Sequence, residues 1–334
     1  MKSMKVMHPG SIVLEEREVP ACGPGEVLVK VMACGICGTD VHIYRGEYLG
    51  SYPVVPGHEF SGVVEAVGTG VSRYRPGDRV AVEPNVACDD CESCLNNRQN
   101  FCLGWQGIGV TRPGGFAQYA IAPERAVFSI GNLGFEEGAF MEPLSCVLHG
   151  LERARIPAGA KIAVLGAGPI GILLLESALA LGAADAAVAE KNPARLAFAR
   201  ACGAKAAVPS LDGLEKDAYD LVIDATGSPA VMARTIDVAR PGGTVLLFGV
   251  PPSGATMEIE PFVIFRKGLT VLSSYTSVRN SYQALRLMRE GRVAVAKLVS
   301  HHLPLEELRR GIELIETGAD DVKKVLLLPN GALP

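Results

Sequence analysis

The chain has 334 residues, of which 48% are hydrophobic and 20% charged, and its formal net charge is −4. This length favours two domains, and the composition excludes a largely disordered chain. The small negative charge argues against a surface for nucleic acid or anionic membrane, because such a surface needs a basic patch.

The hydropathy of the sequence predicts neither a signal peptide nor a membrane-spanning segment. Residues 1–11 lack the apolar run of a signal peptide, and the most apolar stretch, 170–189, is interrupted by Glu176 and Asp185. We therefore expect a cytoplasmic protein with no membrane partner. Thiols stay reduced in that compartment, and the odd count of nine cysteines also argues against a disulfide framework.

The first third of the chain is typical of a β domain. Valines recur at every second position in residues 26–31, and similar short strands are predicted at 62–67 and 79–83, separated by glycine and proline turns. Many short strands with turns between them predict a partly closed, largely antiparallel β domain.

Four cysteines follow in one short loop with the spacing C-x2-C-x2-C-x7-C: Cys88, Cys91, Cys94 and Cys102. Four thiolates can complete a tetrahedron around Zn²⁺ and leave no position open for substrate. The motif predicts a structural zinc site. The acidic residues within the loop argue against a zinc ribbon that binds nucleic acid.

From about residue 160, strands and helices alternate. A buried strand at 161–165 precedes a helix, a second strand is predicted at 186–190, and Asn192 and Pro193 begin a helix that should end near Gly203. Further strands are predicted at 221–225, 244–249 and 269–273. Alternation of this kind predicts a parallel sheet covered on both faces by helices. Beyond residue 280 two more helices and two strands, near 298–300 and 322–328, are assigned to the first domain.

The strand at 161–165 leads into G-x-G-x-x-G, and an acidic residue follows about twenty positions later. Gly166 permits the tight turn, Gly168 lets the backbone approach a pyrophosphate, and Gly171 allows close packing. The N-terminus of the helix, which includes Pro169 and Ile170, offers free N–H groups to the phosphates. Glu190 at the end of the second strand favours NAD over NADP because it would repel a 2′-phosphate. The neighbouring cations Lys191 and Arg195 moderate this preference.

A second metal constellation is dispersed along the chain: Cys37, His58, Glu59 and Glu142. A catalytic zinc needs about three protein ligands and one open position. Each residue taken alone has an ordinary structural interpretation, and spacing cannot join residues so far apart. Asp40 is a candidate partner that orients His58.

The two cysteine segments, the Gly57-His58-Glu59 segment, the Glu142-Pro143-Leu144 segment and the glycine turn occur in one characteristic order. With these motifs the chain resembles the zinc-containing medium-chain dehydrogenase/reductase family over essentially its whole length, and within it the sorbitol and polyol dehydrogenase branch. The resemblance implies a GroES-like catalytic domain (residues 1–148 and 279–334) and an NAD-binding Rossmann domain (149–278). It also implies a homodimer or homotetramer, for which the strands at 244–249 and 269–273 offer sheet edges.

The resemblance further implies an oxidoreductase that transfers a hydride from a secondary hydroxyl of a polyol or related alcohol to NAD. Cys37 and His58 become ligands of a catalytic zinc, and Glu59 or Glu142 supplies the third ligand. Thr39 matches the hydroxyl that takes the alcohol's proton, and His42 matches the far end of that relay.

Several alternatives stay open from the sequence. A threonine, simple alcohol or sugar-alcohol-phosphate dehydrogenase would share the scaffold, and Arg45, Arg266 and Lys267 are candidate cations for a phosphate. A zinc-free quinone or enoyl reductase conflicts with the cysteine and histidine motifs. An inactive nucleotide-binding protein should have lost Thr39 or the metal ligands, and all are present. The segments 44–53, 105–108 and 273–279 are expected to select the substrate.

Overall fold

The computed structural model describes residues 1–47 and 51–333. They form two compact units, one made of residues 1–145 and 278–334, the other of residues 146–277. The predicted segment 44–53 therefore lies partly outside the described residues. In the described part of the chain, every helix falls short of the length and apolar composition that crossing a membrane requires.

The described strands, in chain order, are β1 Lys2–His8, β2 Ser11–Glu16, β3 Glu26–Gly35, β4 Glu59–Val67, β5 Arg79–Val82, β6 Asn85–Val86, β7 Gln106–Gly107, β8 Tyr119–Pro123, β9 Val127–Ser129, β10 Lys161–Leu165, β11 Asp185–Ala189, β12 Ala206–Val208, β13 Tyr219–Asp224, β14 Ala239–Leu247, β15 Thr270–Ser273, β16 Val299–Pro304 and β17 Lys324–Leu328.

The described α-helices are α1 Gly38–Arg45, α2 Glu92–Leu95, α3 Phe135–Ala139, α4 Met141–Ala154, α5 Pro169–Ala180, α6 Pro193–Ala201, α7 Pro229–Val238, α8 Pro261–Lys267, α9 Ser281–Arg289 and α10 Leu308–Thr317.

The first unit is built on one sheet with the order β16-β17-β3-β4-β5-β9, and β8 also pairs with β3. All these neighbours are antiparallel except β16 and β17, which run parallel. The sheet therefore agrees with the predicted largely antiparallel domain. Its central strand β3 is almost wholly buried, with Val27, Val29 and Val31 each fully shielded from solvent. The core of this unit thus includes the strand that the alternating valines at residues 26–31 predicted.

The second unit is a parallel sheet with the order β12-β11-β10-β13-β14-β15. The predicted doubly wound fold is confirmed, although strand ends differ by a few residues. The side chain of Asn192 caps α6 by accepting hydrogen bonds from the amides of Ala194 (2.9 Å) and Arg195 (3.1 Å). Strand β12 was not predicted. The strand predicted near 298–300 extends instead over β16.

Lys267, the last residue of α8, binds groups at the end of a neighbouring helix. Its ammonium group, 7% exposed, donates hydrogen bonds to the carbonyls of Ile236 (2.5 Å) and Ala239 (3.1 Å) and pairs with Asp217 (2.5 Å). These carbonyls lie at the C-terminal end of α7, where a helix has unpaired acceptors and a partial negative charge. Lys267 is therefore occupied within the fold, and its interpretation as a cation for a substrate phosphate is wrong.

Candidate metal and nucleotide sites

The four-cysteine loop is folded as a metal site. The sulfur atoms of Cys88, Cys91, Cys94 and Cys102 all lie within 4.8 Å of one another. Individual sulfur pairs are 3.4 Å (Cys88–Cys102), 3.5 Å (Cys91–Cys94) and 3.9 Å (Cys88–Cys94) apart. A tetrahedron with Zn–S bonds of about 2.3 Å has edges of about 3.8 Å. The arrangement of the thiols therefore fits zinc.

Backbone amides prepare this loop for thiolates. The amide of Cys88 donates to the sulfur of Cys102 (3.3 Å), and the amide of Cys91 donates to the sulfur of Cys88 (3.4 Å). Hydrogen bonds from the amides of Cys94 and Leu103 lower the pKa of the Cys91 thiol to about 6. A hydrogen bond with Asp90 instead raises the pKa of the Cys88 thiol to about 12, and burial raises that of Cys94. Amide hydrogen bonds thus stabilise the thiolate, the form that binds a metal, at Cys91.

A second group of possible metal ligands comes from the start of helix α1 and the start of strand β4. One ligand atom each from Cys37, His58 and Glu59 lies within 4.8 Å of the others. Cys37 follows β3 and is the N-cap of α1, His58 immediately precedes β4, and Glu59 begins it. Because Gly35 is paired with Glu59 in the β3–β4 ladder, the residues that follow one strand meet those that begin the other. The group has the size and ligand types of a catalytic zinc site.

Asp40 contacts two of these ligands, Cys37 and His58. Its carboxylate, 1% exposed, accepts a hydrogen bond from the amide of Cys37 (2.8 Å) and lies 3.5 Å from Nδ1 of His58. Nδ1 of His58 is buried, and among the described residues it has this ion-pair contact with Asp40 but no hydrogen bond. A carboxylate on Nδ1 leaves Nε2 as the nitrogen for a metal, the usual arrangement of a ligating histidine.

The electrostatics around His58 are those of a cation site. Burial alone lowers the pKa of the His58 imidazole, but the Asp40 carboxylate and the Cys37 sulfur outweigh it and raise this pKa well above its usual value. Surroundings that hold a proton on the ring also attract a metal cation in its place. The residues present therefore fit a divalent metal.

The remaining candidates are placed as follows. Glu142 lies in the first turn of α4, 9% exposed, and is not part of the group that contains Glu59. Thr39 and His42 are three positions apart on α1, so they share one helix face. Nδ1 of His42 lies 2.8 Å from the carboxylate of Glu47. Cys34 is fully buried, and burial raises the pKa of its thiol well above the usual value.

The glycine turn has the geometry of a phosphate-binding loop. Gly166 has a φ of +98°, and a side chain at Gly171 would place its Cβ 2.0 Å from the Gly166 carbonyl oxygen. The space around Gly168 is open, and α5 begins directly after it. Glu190, 9% exposed, accepts hydrogen bonds from the amides of Ala167 and Asn192, both at 2.8 Å. The acidic side chain is thereby fixed beside the turn, and Arg195 lies half-buried in the helix that follows.

Sequence reasoning missed one charged residue of the metal group's surroundings. Lys324, the first residue of β17, is 7% exposed and forms an ion pair with the carboxylate of Glu59. Burial lowers the pKa of Lys324, but Glu59 and Cys37 outweigh that effect and raise it. In the sequence this lysine follows Lys323 and precedes an apolar run, a pattern also typical of an exposed strand end.

Comparison with known families and proteins identifies the family of the chain. Residues 23–132 match the model of the alcohol dehydrogenase GroES-like domain, and residues 169–290 match that of the zinc-binding dehydrogenases. The chain is 38% identical to D-altritol 5-dehydrogenase of Agrobacterium fabrum, over 92% of this chain and 94% of the relative. It is 30% identical to D-arabinitol dehydrogenase 1 of Uromyces fabae (99% and 97% covered) and 33% identical to L-threonine 3-dehydrogenase of Bacillus velezensis (95% of each).

Solved structures give the same result. A zinc-binding dehydrogenase of Sinorhizobium meliloti 1021 bound to NADP superimposes with a TM-score of 0.93 at 34% identity, covering 98% of this chain and 99% of that one. A short chain alcohol dehydrogenase of Escherichia coli CFT073 complexed with NADH gives 0.91 at 31% identity, with the same coverage. The chain therefore belongs to the zinc-dependent medium-chain dehydrogenases, and within that family to the branch of the polyol dehydrogenases.

Proposed function

We propose that the protein oxidises a secondary hydroxyl of a small polyol with NAD as hydride acceptor. The observation that carries the proposal is the group formed by Cys37, His58 and Glu59, because three ligands leave one tetrahedral position open for substrate. The similarity to an altritol and an arabinitol dehydrogenase supports a polyol as substrate class. The unit of residues 1–145 and 278–334 would bind the metal, and the unit of residues 146–277 would bind the nucleotide.

The chain's own residues have distinct parts in this reaction. A zinc ion held by Cys37, His58 and Glu59 would supply Lewis-acid chemistry that lowers the pKa of a hydroxyl. Asp40 holds the His58 ring in the orientation that presents Nε2. Thr39 accepts the proton of the substrate hydroxyl, and His42 passes it towards solvent through Nε2, because its Nδ1 is engaged by Glu47.

The second zinc ion in this proposal is structural. The loop of Cys88, Cys91, Cys94 and Cys102 offers four thiol ligands and no open position, so it would stabilise the loop without taking part in turnover. We assign two zinc ions to each chain, and metal analysis of the purified protein measures this number directly.

Glu190 supports NAD as the nucleotide. Its carboxylate is held by two backbone amides at the place where the adenosine ribose binds in this fold. A 2′-phosphate would meet this negative charge at close range in a poorly solvated position, whereas two ribose hydroxyls can donate hydrogen bonds to it. Lys191 is exposed and directly follows Glu190 in the chain, so it is the cation best placed to bind a phosphate once the acid is removed, and Arg195 follows in the first turn of α6.

Replacing Glu190 by serine is expected to raise the ratio of kcat/KM with NADP to kcat/KM with NAD by about 100-fold. Loss of the hydrogen bonds to ribose and relief of charge repulsion together correspond to roughly 3 kcal/mol. Steady-state kinetics with both nucleotides measures the ratio. Glu176→Gln in α5 is the control, and an unchanged ratio in Glu190→Ser would remove the assignment of Glu190.

A substrate panel tests the proposed reaction. We expect NAD reduction with four- to six-carbon polyols, with kcat/KM at least tenfold above that for L-threonine, simple secondary alcohols and phosphorylated polyols. A higher value for L-threonine would favour the second candidate function, which the 33% identical threonine dehydrogenase supports. Two of the three candidate cations for a phosphate are engaged elsewhere, because Lys267 binds backbone carbonyls and Arg45 pairs with Glu316 at 2.7 Å, whereas Arg266 is exposed. The proposal therefore ranks phosphorylated polyols below free ones.

A second copy of the chain is the proposed protein partner. Of the two strands expected to offer sheet edges, the one at 244–249 does not, because β14 lies inside the sheet between β13 and β15. Strand β15 does end the sheet, and edge strands with free hydrogen-bonding groups favour pairing. The adjacent helix α8 exposes two phenylalanines, Phe262 (60% exposed) and Phe265 (79%), whose ring centroids are 6.1 Å apart. A homodimer or homotetramer would cover them, and a monomeric mass by light scattering would contradict this proposal.

A further inference from the structure

A buried cation lies against Glu59, and the proposed reaction does not employ it. The side chains of Lys324 and Glu59 are 8% and 1% exposed and form an ion pair. A lysine is seldom so deeply buried, because removing its charge from water is costly unless a partner compensates. Burial lowers the pKa of Lys324, but the negative charges of Glu59, Cys37 and Asp40 outweigh this effect and raise it.

Gly35 makes this ion pair possible. Strand β3 lies between β17 and β4, and Gly35 is paired with Leu326 on one side and with Glu59 on the other. A Cβ at Gly35 would lie 2.2 Å from Oε2 of Glu59 and 2.8 Å from Cε of Lys324. The two charged side chains therefore meet above the middle strand at a position where any larger residue would separate them.

We propose that Lys324 is a positioning residue that acts through Glu59, competing with bound zinc for the charge of this carboxylate and keeping Glu59 a weak, exchangeable ligand. This inference rests on the proposed function, because it requires zinc at Cys37, His58 and Glu59. A carboxylate that pairs with Lys324 and would also bind zinc is shared between two cations, and each would reduce the charge that it donates to the other.

Charge balance in the group supports this role. Cys37 as thiolate, Asp40 and Glu59 contribute three negative charges, and Lys324 with a zinc ion contributes three positive ones. Without Lys324 the occupied group would carry an excess negative charge in a buried position. A cation with weaker donors is the stronger Lewis acid, so the lysine would favour both ligand exchange and polarisation of a substrate hydroxyl.

The test compares Lys324→Met with the wild-type holoenzyme. We expect zinc loss from the Cys37 group to a chelator to slow by about tenfold, and kcat to fall by about tenfold at unchanged zinc content. The visible spectrum of the Co²⁺-substituted protein, a readout independent of turnover, should change in band position and intensity. Lys5→Met removes a half-buried lysine that pairs with Glu15 at 3.2 Å, and it should leave all three measurements unchanged.

A second pair of variants tests whether the effect passes through Glu59. In the Glu59→Gln background, Lys324→Met should no longer change the rate of zinc loss, because the carboxylate for which the two cations compete is absent. Lys324→Gln replaces the lysine by a shorter, uncharged polar side chain. It should show the same effects in the same direction, so it keeps the test decisive where Lys324→Met does not fold.

The outcomes separate this inference from the function on which it rests. Unchanged or faster zinc loss in Lys324→Met and Lys324→Gln, with an unchanged Co²⁺ spectrum, would overturn the role of Lys324 alone. A wild-type protein with zinc at the four-cysteine loop only would instead overturn the proposed function, because the Cys37 group would then not be a zinc site.

Discussion

Replacing Cys37 by serine is expected to reduce kcat at least 10³-fold while the affinity for NAD stays within about twofold. The thiolate is the strongest donor among Cys37, His58 and Glu59, and the hydroxyl of serine stays protonated at neutral pH and binds zinc poorly. Lewis-acid stabilisation by a metal amounts to several kcal/mol, and each 1.36 kcal/mol corresponds to a factor of ten. The glycine turn from Gly166 to Gly171 belongs to the other unit and should be unaffected.

Three measurements check this expectation. Metal analysis should show the zinc content falling from two to one per chain, fluorescence titration should show NADH binding as before, and steady-state kinetics should show the loss of kcat. Cys22→Ser is the matched control, since Cys22 is a half-buried thiol of the same unit that belongs to neither group of metal ligands found among the described residues. If Cys37→Ser retained activity, the assignment of the catalytic metal would be wrong.

Local sequence patterns predicted much of the second unit. Three predicted features depend on residues close in sequence, and the structure contains all of them: the turn from Gly166 to Gly171, the helix cap at Asn192 and the alternating strands. The four-cysteine loop is likewise local, because its ligands all lie between residues 88 and 102. Such features follow from local conformational preferences and ligand geometry, so a single sequence suffices to predict them.

The metal group of Cys37, His58 and Glu59 was different, since spacing alone could not join these residues. Their approach depends on the register of β3 on β4, which pairs Gly35 with Glu59. Family resemblance supplied that information indirectly. Lys324 was missed altogether, because its contact with Glu59 requires a further strand, β17, to lie on the other side of β3. Register between distant strands is a tertiary property that periodicity does not contain.

Replacing Cys94 by serine is expected to release the structural zinc and to lower the free energy of unfolding of the metal-binding unit by several kcal/mol. Cys94 is 4% exposed, and its sulfur lies 3.5 Å from that of Cys91 and 3.9 Å from that of Cys88. Structural zinc contributes about 10–16 kcal/mol in isolated zinc-finger peptides. A loop within a larger unit depends on it less, because part of its surroundings stays folded.

The structure also indicates where this loss should appear first. Cys94 and Cys102 form a small buried cluster with Ala87, against which Cys91 and Trp105 pack, and three of these five residues are ligands of the metal. Limited proteolysis should therefore cut between residues 88 and 102 in Cys94→Ser, with the catalytic zinc retained and activity falling only as the protein unfolds. Ser93→Ala, a half-buried neighbour on α2, should be as resistant as the wild type. Retention of two zinc ions by Cys94→Ser would show that the loop does not bind metal through four thiolates. Loss of both ions at once would show that the two sites depend on each other. We do not expect this, because one site lies beside β3 and β4 and the other in the four-cysteine loop.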